Sequence, residues 1–93
     1  MVTHVVIFTW RPGTTAEQVA QLGEALDALA AVLAVPISHG PDLRFREGNG
    51  DYALVASFDD RAGWDAYQAD LRHKAFVRDF VTPIQASRLT IQF

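Results

Sequence analysis

"VTHVVIFTW", residues 2–10, alternates as a strand should, yet both alternating sets are apolar. Thr3, Val5, Ile7 and Thr9 point one way; Val2, His4, Val6, Phe8 and Trp10 point the other. A strand of this kind has to be covered on both sides. The question is what supplies the second cover in a chain of 93 residues, and why a titratable ring stands in the second set.

Downstream, "RPGTTAEQ" (11–18) ends the strand at Pro12-Gly13 and opens a helix. Thr14 with Glu17 three residues on predicts a capping box. Val19, Leu22, Leu26, Leu29 and Leu33 recur at steps of three and four, one apolar stripe facing a sheet. Pro36 stops this helix. "PISHGPDLRFRE" (36–47) predicts an irregular second strand broken at Gly40-Pro41. "EGNGD" (47–51) predicts a tight turn, and "DYALVASF" (51–58) a third strand. Asn49-Gly50 favours a hairpin that makes strands two and three antiparallel neighbours. Tyr52, Leu54, Ala56 and Phe58 share one face of the third strand. Residues 59–87 form a second helical region capped by Asp59 or Asp60, broken between Asp70 and His73 and ended or kinked by Pro83. "SRLTIQF" (87–93) closes as a fourth strand with Leu89, Ile91 and Phe93 on one face.

The order strand, helix, strand, strand, helix, strand predicts an α+β fold. This is a ferredoxin-like βαββαβ unit, one four-stranded antiparallel sheet with both helices on one face. Two helices cover one side only. The other side is expected to carry Val6, Phe8 and Trp10 with Leu54 or Val55. A continuous apolar patch of that kind is unusual on a monomer. Burying each large side chain contributes roughly 1.5–3 kcal/mol, so a second copy, sheet facing sheet around a shared interior, is the expected cover.

The composition fits this reading. With 49% hydrophobic and 20% charged residues the chain is an ordinary globular one, expected to form one domain over residues 1–93. The apolar share is high for so small a chain and is consistent with a subunit interface. The net charge is −3 and the basic residues are scattered, which leaves no electrostatic footprint for nucleic acid. Cysteine is absent, which excludes disulfides, cysteine nucleophiles and thiolate metal sites and suits a reducing cytoplasm. No basic stretch followed by a long apolar run opens the chain, and no apolar segment approaches the ~20 residues of a membrane span. The expectation is a cytoplasmic protein with no membrane partner.

The residues "HVVIFTW", "RPGTTAEQVAQL", "GPDL", "DYALVASFDD", "AYQADLRHKAFV" and "SRLTIQF" together resemble the stress-responsive α/β barrel (Dabb) domain family over essentially the whole chain. The resemblance implies a dimeric α+β barrel made of two ferredoxin-like subunits. One branch of that family consists of plant polyketide cyclases (olivetolic acid cyclase among them), which close a linear poly-β-keto chain by intramolecular aldol condensation. Their catalytic pair is a tyrosine followed six residues later by a histidine, positions held here by Tyr67 and His73. A pocket histidine near the start of the first strand matches His4. Another histidine of that branch falls at Tyr52, and one between the pair falls at Asp70.

Each of these residues has a chemical and a plain reading. His73 in "LRHKAF" is suited to remove a proton from a carbon flanked by two carbonyls, since its neutral form is available near neutrality. Otherwise it is a surface histidine after a helix end. Tyr67 is suited to donate a hydrogen bond to a developing enolate or aldol oxygen. His4 either orients a ligand oxygen or is a core histidine satisfied by its neighbours. Phe8, Trp10 and Trp64 either line a ligand pocket or serve as core or dimer contacts, and Tyr52 either reaches the lumen with its hydroxyl, as a ligand-binding residue, or caps a strand edge. His39, beside Gly40-Pro41, reads as an exposed turn residue without a role. The histidines show no metal-ligand spacing, and neither a metal nor a cofactor is expected.

Three functions follow as expectations. The first is a homodimer that binds a small hydrophobic carbonyl compound, with polyketide-cyclase-like aldol chemistry carried by His73 as base and Tyr67 as donor. The second is a non-enzymatic, stress-related dimer or ligand-binding protein. The third is a cofactor-free quinol-type monooxygenase. Convergence of His4, Tyr67 and His73 on one cavity favours the first; a space filled by Phe8, Trp10 and Leu54 favours the second.

Overall fold

The structure, a computed structural model, describes all residues 1–93. Strand β1 (Val2–Trp10) is followed by helix α1 (Ala16–Leu33), β2 (Ile37–Pro41), β3 (Tyr52–Phe58), α2 (Arg61–Ala69), α3 (Leu71–Phe76), a π-helical turn (Val77–Val81) and β4 (Gln85–Gln92). All pairings are antiparallel and the sheet order is β2-β3-β1-β4. This is the ferredoxin-like α+β arrangement. The first strand sits in the middle because its two apolar sets both need burial.

The helices take the face that carries Val6, Phe8, Tyr52, Leu54, Ala56 and Phe58. These residues pack against Leu22, Leu26 and Leu29 of α1 and against Tyr67, Phe76 and Val81. This corrects the expected use of the two faces. Val6, Phe8 and Leu54 are not on the bare side; they are 3–5% exposed beneath the helices. Trp10 is half-buried and packs against the same core. The bare side carries Val5, Ile7, Val55, Leu89, Ile91 and Phe93, brought into rows by the register Val5↔Val55, Val5↔Ile91 and Ile7↔Leu89. Period-two alternation separates two apolar faces but does not say which of them the helices prefer. The set with the larger rings fills the deeper sheet–helix gap, and the β-branched set is left outside.

Smaller differences have local causes. The capping box sits one residue later than expected. Thr15 accepts from the Gln18 N–H, and the Gln18 side chain accepts from the Thr15 N–H. Thr14 instead donates its hydroxyl to the Arg11 carbonyl and closes the turn. The helix ends at Ala34 in a left-handed conformation (φ 54°), two residues before Pro36. Strand β2 is shorter than its predicted span, because Pro41 has no N–H to carry the ladder on. Residues 42–51 form a loop, not a tight Asn49-Gly50 turn. That loop is tied by Asp42 to Asn49 (3.1 Å) and by Arg44 to Asp51 (2.7 Å). Gly50 lies so close to the Ile7 side chain that a β-carbon there collides with it. The expected break in the second helical region falls at Asp70, which ends α2 and caps α3.

Candidate active site

The sheet–helix gap is not filled to one end. Between β1, β4, α2 and α3 it leaves a cavity of about 120 Å³, lined by His4, Tyr67 and His73 with Trp64, Arg88 and Gln92 among the flanking residues. It lies inside one chain, between sheet and helices, and so differs from the expected hollow between two facing sheets. The strand register explains its polar wall. His4 and Gln92 are paired, Phe8 faces Arg88, and Arg88, Thr90 and Gln92 share the helix-side face of β4. Strand β4 is the sheet edge next to β1, and its residues stay largely exposed, so the cavity opens along this edge. A larger hollow of about 450 Å³ lies elsewhere, bounded by Ile7, Leu43 and Phe45. It contains no histidine and continues the bare sheet face.

His4 is 5% exposed. Its Nδ1 accepts a hydrogen bond from the Trp64 indole Nε1–H (3.3 Å) and another from the Gln92 amide (2.9 Å). An indole only donates, so Nδ1 carries a lone pair and the ring proton is on Nε2. Burial, reinforced by the positive charge of Arg88, holds the imidazole below its ordinary titration range. His4 is thus a neutral ring with a fixed tautomer.

Tyr67 is buried on α2, with its ring 5.2 Å from Phe58 and 4.2 Å from His73 between centroids. Burial pushes its phenol up to about 12, so it remains a proton-bearing donor at any physiological pH. His73 sits on α3 directly after the break at Asp70. Its Nδ1 is buried and has no hydrogen-bond partner. Burial, then the nearby His4 and Arg88, lower its pKa, while Asp70 and the Gln68 backbone carbonyl near the ring work in the opposite direction. Asp70 accepts from the Arg72 backbone N–H and side chain. That pairing with Arg72 holds its own carboxyl down to about 2.

Of the six candidate residues, four meet at this cavity: His4, Phe8, Tyr67 and His73. Trp10 and Tyr52 do not line it. Trp10 stacks on Phe8 (5.3 Å) and leans on Tyr52 (5.8 Å). The Tyr52 hydroxyl turns toward α1 and meets His39 Nδ1 at 2.7 Å, and His39 Nε2 meets Asp27 at 2.5 Å. His39 is therefore no exposed turn residue; it belongs to β2 and ties the sheet to α1. Trp64, also a candidate pocket aromatic, lines the cavity, whereas sequence reasoning missed Arg88 and Gln92 as cavity residues. The alternation of β4 relative to His4 is the signal that finds these two. No group of three or more His, Cys, Asp or Glu side chains is placed to hold a metal ion.

A model of the "Stress responsive A/B Barrel Domain" matches residues 2–93. The chain belongs to the Dabb family. Among solved structures, a dimeric ferredoxin-like protein of unknown function from Thermobifida fusca YX is 35% identical, with a TM-score of 0.90 over 99% of this chain and 88% of that one. A Dabb family protein from Mesorhizobium loti MAFF303099 is 22% identical, with a TM-score of 0.80 over 99% and 93%. A hydroxynitrile lyase from Passiflora edulis is 16% identical, with a TM-score of 0.85 over 99% and 90%. The last two likenesses speak for the Dabb fold alone. Among curated proteins none matches this sequence.

Proposed function

We propose that this Dabb-family chain acts as a homodimer whose sheet–helix cavity takes a small carbonyl compound and removes a proton from it. His73 is the base and Tyr67 the hydrogen-bond donor. The observation that carries this reading is the buried, partnerless His73 Nδ1, on a cavity-lining ring packed at a tilt against a tyrosine that keeps its proton. A buried polar atom without a partner costs about 1–3 kcal/mol, a cost that a bound ligand relieves.

The chemistry follows from the groups present. His73 takes a proton from a carbon between two carbonyls, and the C–H electron pair moves onto one carbonyl oxygen as an enolate. Tyr67 donates a hydrogen bond to that oxygen. The enolate carbon then attacks a third, more distant carbonyl of the same molecule, breaking its C=O π bond and forming a carbon–carbon bond and an alkoxide. The alkoxide takes the proton back from the His73 imidazolium. Nothing is oxidised or reduced. This is the aldol closure expected from the polyketide-cyclase resemblance, but the cavity volume restricts its scale. Ligand pockets for drug-sized molecules run to roughly 300–1,000 Å³. A space of about 120 Å³ takes the reacting end of a longer poly-keto chain lying along β4, or a compact β-dicarbonyl compound on which the proton step alone occurs.

The test is proton exchange at the central carbon of acetoacetamide in D₂O, followed by NMR. The wild-type protein is expected to accelerate it. His73→Ala is expected to lose the acceleration by at least about 10²-fold, the usual worth of a general base. Tyr67→Phe is expected to lose a smaller part, and the melting temperature of the His73 variant should stay near that of the parent. Exchange that survives His73→Ala refutes His73 as the base, and binding without exchange in the wild type leaves a non-enzymatic ligand-binding protein.

A further inference from the structure

One feature of the cavity is not used by proton abstraction. Arg44, Arg61, Arg72 and Arg78 each lie within ion-pair distance of an aspartate. Arg88, like Arg11 and Arg46, pairs with no carboxylate, and it is the one residue of permanent charge in the cavity wall. Its position is fixed by the ladder. Opposite Phe8 and two residues from Thr90, it stands on the helix-side face of an edge strand that the helices leave open. A guanidinium presents planar paired donors that match a carboxylate. Placed beside two neutral imidazoles, it has no anion of its own chain to satisfy it.

We propose that Arg88 is the anchor for a carboxylate on the ligand, so that the compound held against His73 and Tyr67 is a small keto acid. The proposal rests on the cavity reading above and deepens it by naming the charge its ligand carries. A carboxylate held by Arg88 at the open β4 edge leaves the ligand's carbonyl end to the His73–Tyr67 side. The same guanidinium opposes protonation of both His4 and His73, so its charge reaches the interior of the cavity.

The experiment compares two probes of nearly equal shape, acetoacetate and acetoacetamide, by titration calorimetry or ligand-observed NMR. The proteins are wild type, Arg88→Met and Arg88→Lys. The wild type is expected to prefer acetoacetate by about tenfold or more, with the preference shrinking as salt rises. Arg88→Met is expected to bring the preference to about one, and Arg88→Lys to restore part of it. In Arg88→Met the NMR titrations of the His4 and His73 rings should both move upward, which a purely structural change at an exposed edge residue would not produce. Equal binding of the two probes by the wild type, a preference unchanged in Arg88→Met, or no binding of either probe overturns the anchor. Loss of proton exchange with the carboxylate preference intact counts against the base alone; exchange of acetoacetamide with no carboxylate preference counts against the anchor alone.

Discussion

His4 and His73 are both held neutral by burial, and this couples the protein's behaviour to pH in two ways. A histidine whose folded pKa lies below its ordinary value of about 6.5 binds its proton more readily in the unfolded chain. Stability from these two rings is therefore fully present above about pH 6.5 and is lost as pH falls through their lowered folded values. Unfolding by urea at a series of pH values should show stability declining below about 6.5. His4→Gln should show a flatter decline, because one of the two groups no longer titrates. The second consequence concerns rate. A base with a lowered pKa stays competent into mildly acidic solution, and a phenol at about 12 stays protonated in alkaline solution. Proton exchange catalysed by His73 should be level from neutral pH upward to the alkaline range. Its acidic limb should fall below the ordinary imidazole value, and an acidic limb at or above 6.5 would contradict the buried, charge-neighboured setting of His73.

At the scale of elements, the break between α2 and α3 places the chemistry. Tyr67 and His73 are six residues apart, which in an unbroken helix is well over one and a half turns. Asp70 interrupts the helix with an extended backbone (φ −64°, ψ 130°), and the chain re-enters helix so that the two rings come within 4.2 Å between centroids. The sequence pointed to a break between residues 70 and 73, and the structure shows that Asp70 supplies the cap there. The sequence did not show that the break would bring the two rings together. The α1 cap was legible only as a type of motif. "TTAEQ" offers Thr14 with Glu17 and Thr15 with Gln18 as equivalent boxes, and the Pro12-Gly13 turn decides by claiming Thr14 for itself. Thr15→Ala should accordingly lower stability by about 1 kcal/mol in denaturant titration.

At the scale of the whole molecule, the bare sheet face is the dominant unsolved surface of one copy. Leu89, Ile91 and Phe93 are 75%, 59% and 75% exposed, and Val5, Ile7 and Val55 stand beside them in register. Covering several such side chains offsets the cost of association, which is on the order of 4–15 kcal/mol. In light scattering the protein should run as a dimer at micromolar concentration. Val55→Arg, which puts a charge in the centre of the face, should run as a folded monomer with an unchanged far-ultraviolet circular dichroism spectrum. A monomeric wild type would remove the need for the second copy.

What the sequence determined by itself is the set of local and periodic features. The strand–helix–strand–strand–helix–strand order, the Leu22–Leu26–Leu29 stripe and the excess of apolar strand surface follow from spacing, and spacing is a property of neighbours along the chain. The family resemblance singled out Tyr67, His73 and His4 in the same way, from residues in order. Only the tertiary structure decided which apolar face of β1 the helices cover, that Tyr52 turns away to His39 while Phe8 stays at the cavity, and that Gln92 stands across from His4 and Arg88 across from Phe8. Those outcomes depend on strand register and on how side chains of different volume fill the gap between sheet and helix. Both are set by contacts between residues distant in sequence, which no local pattern records.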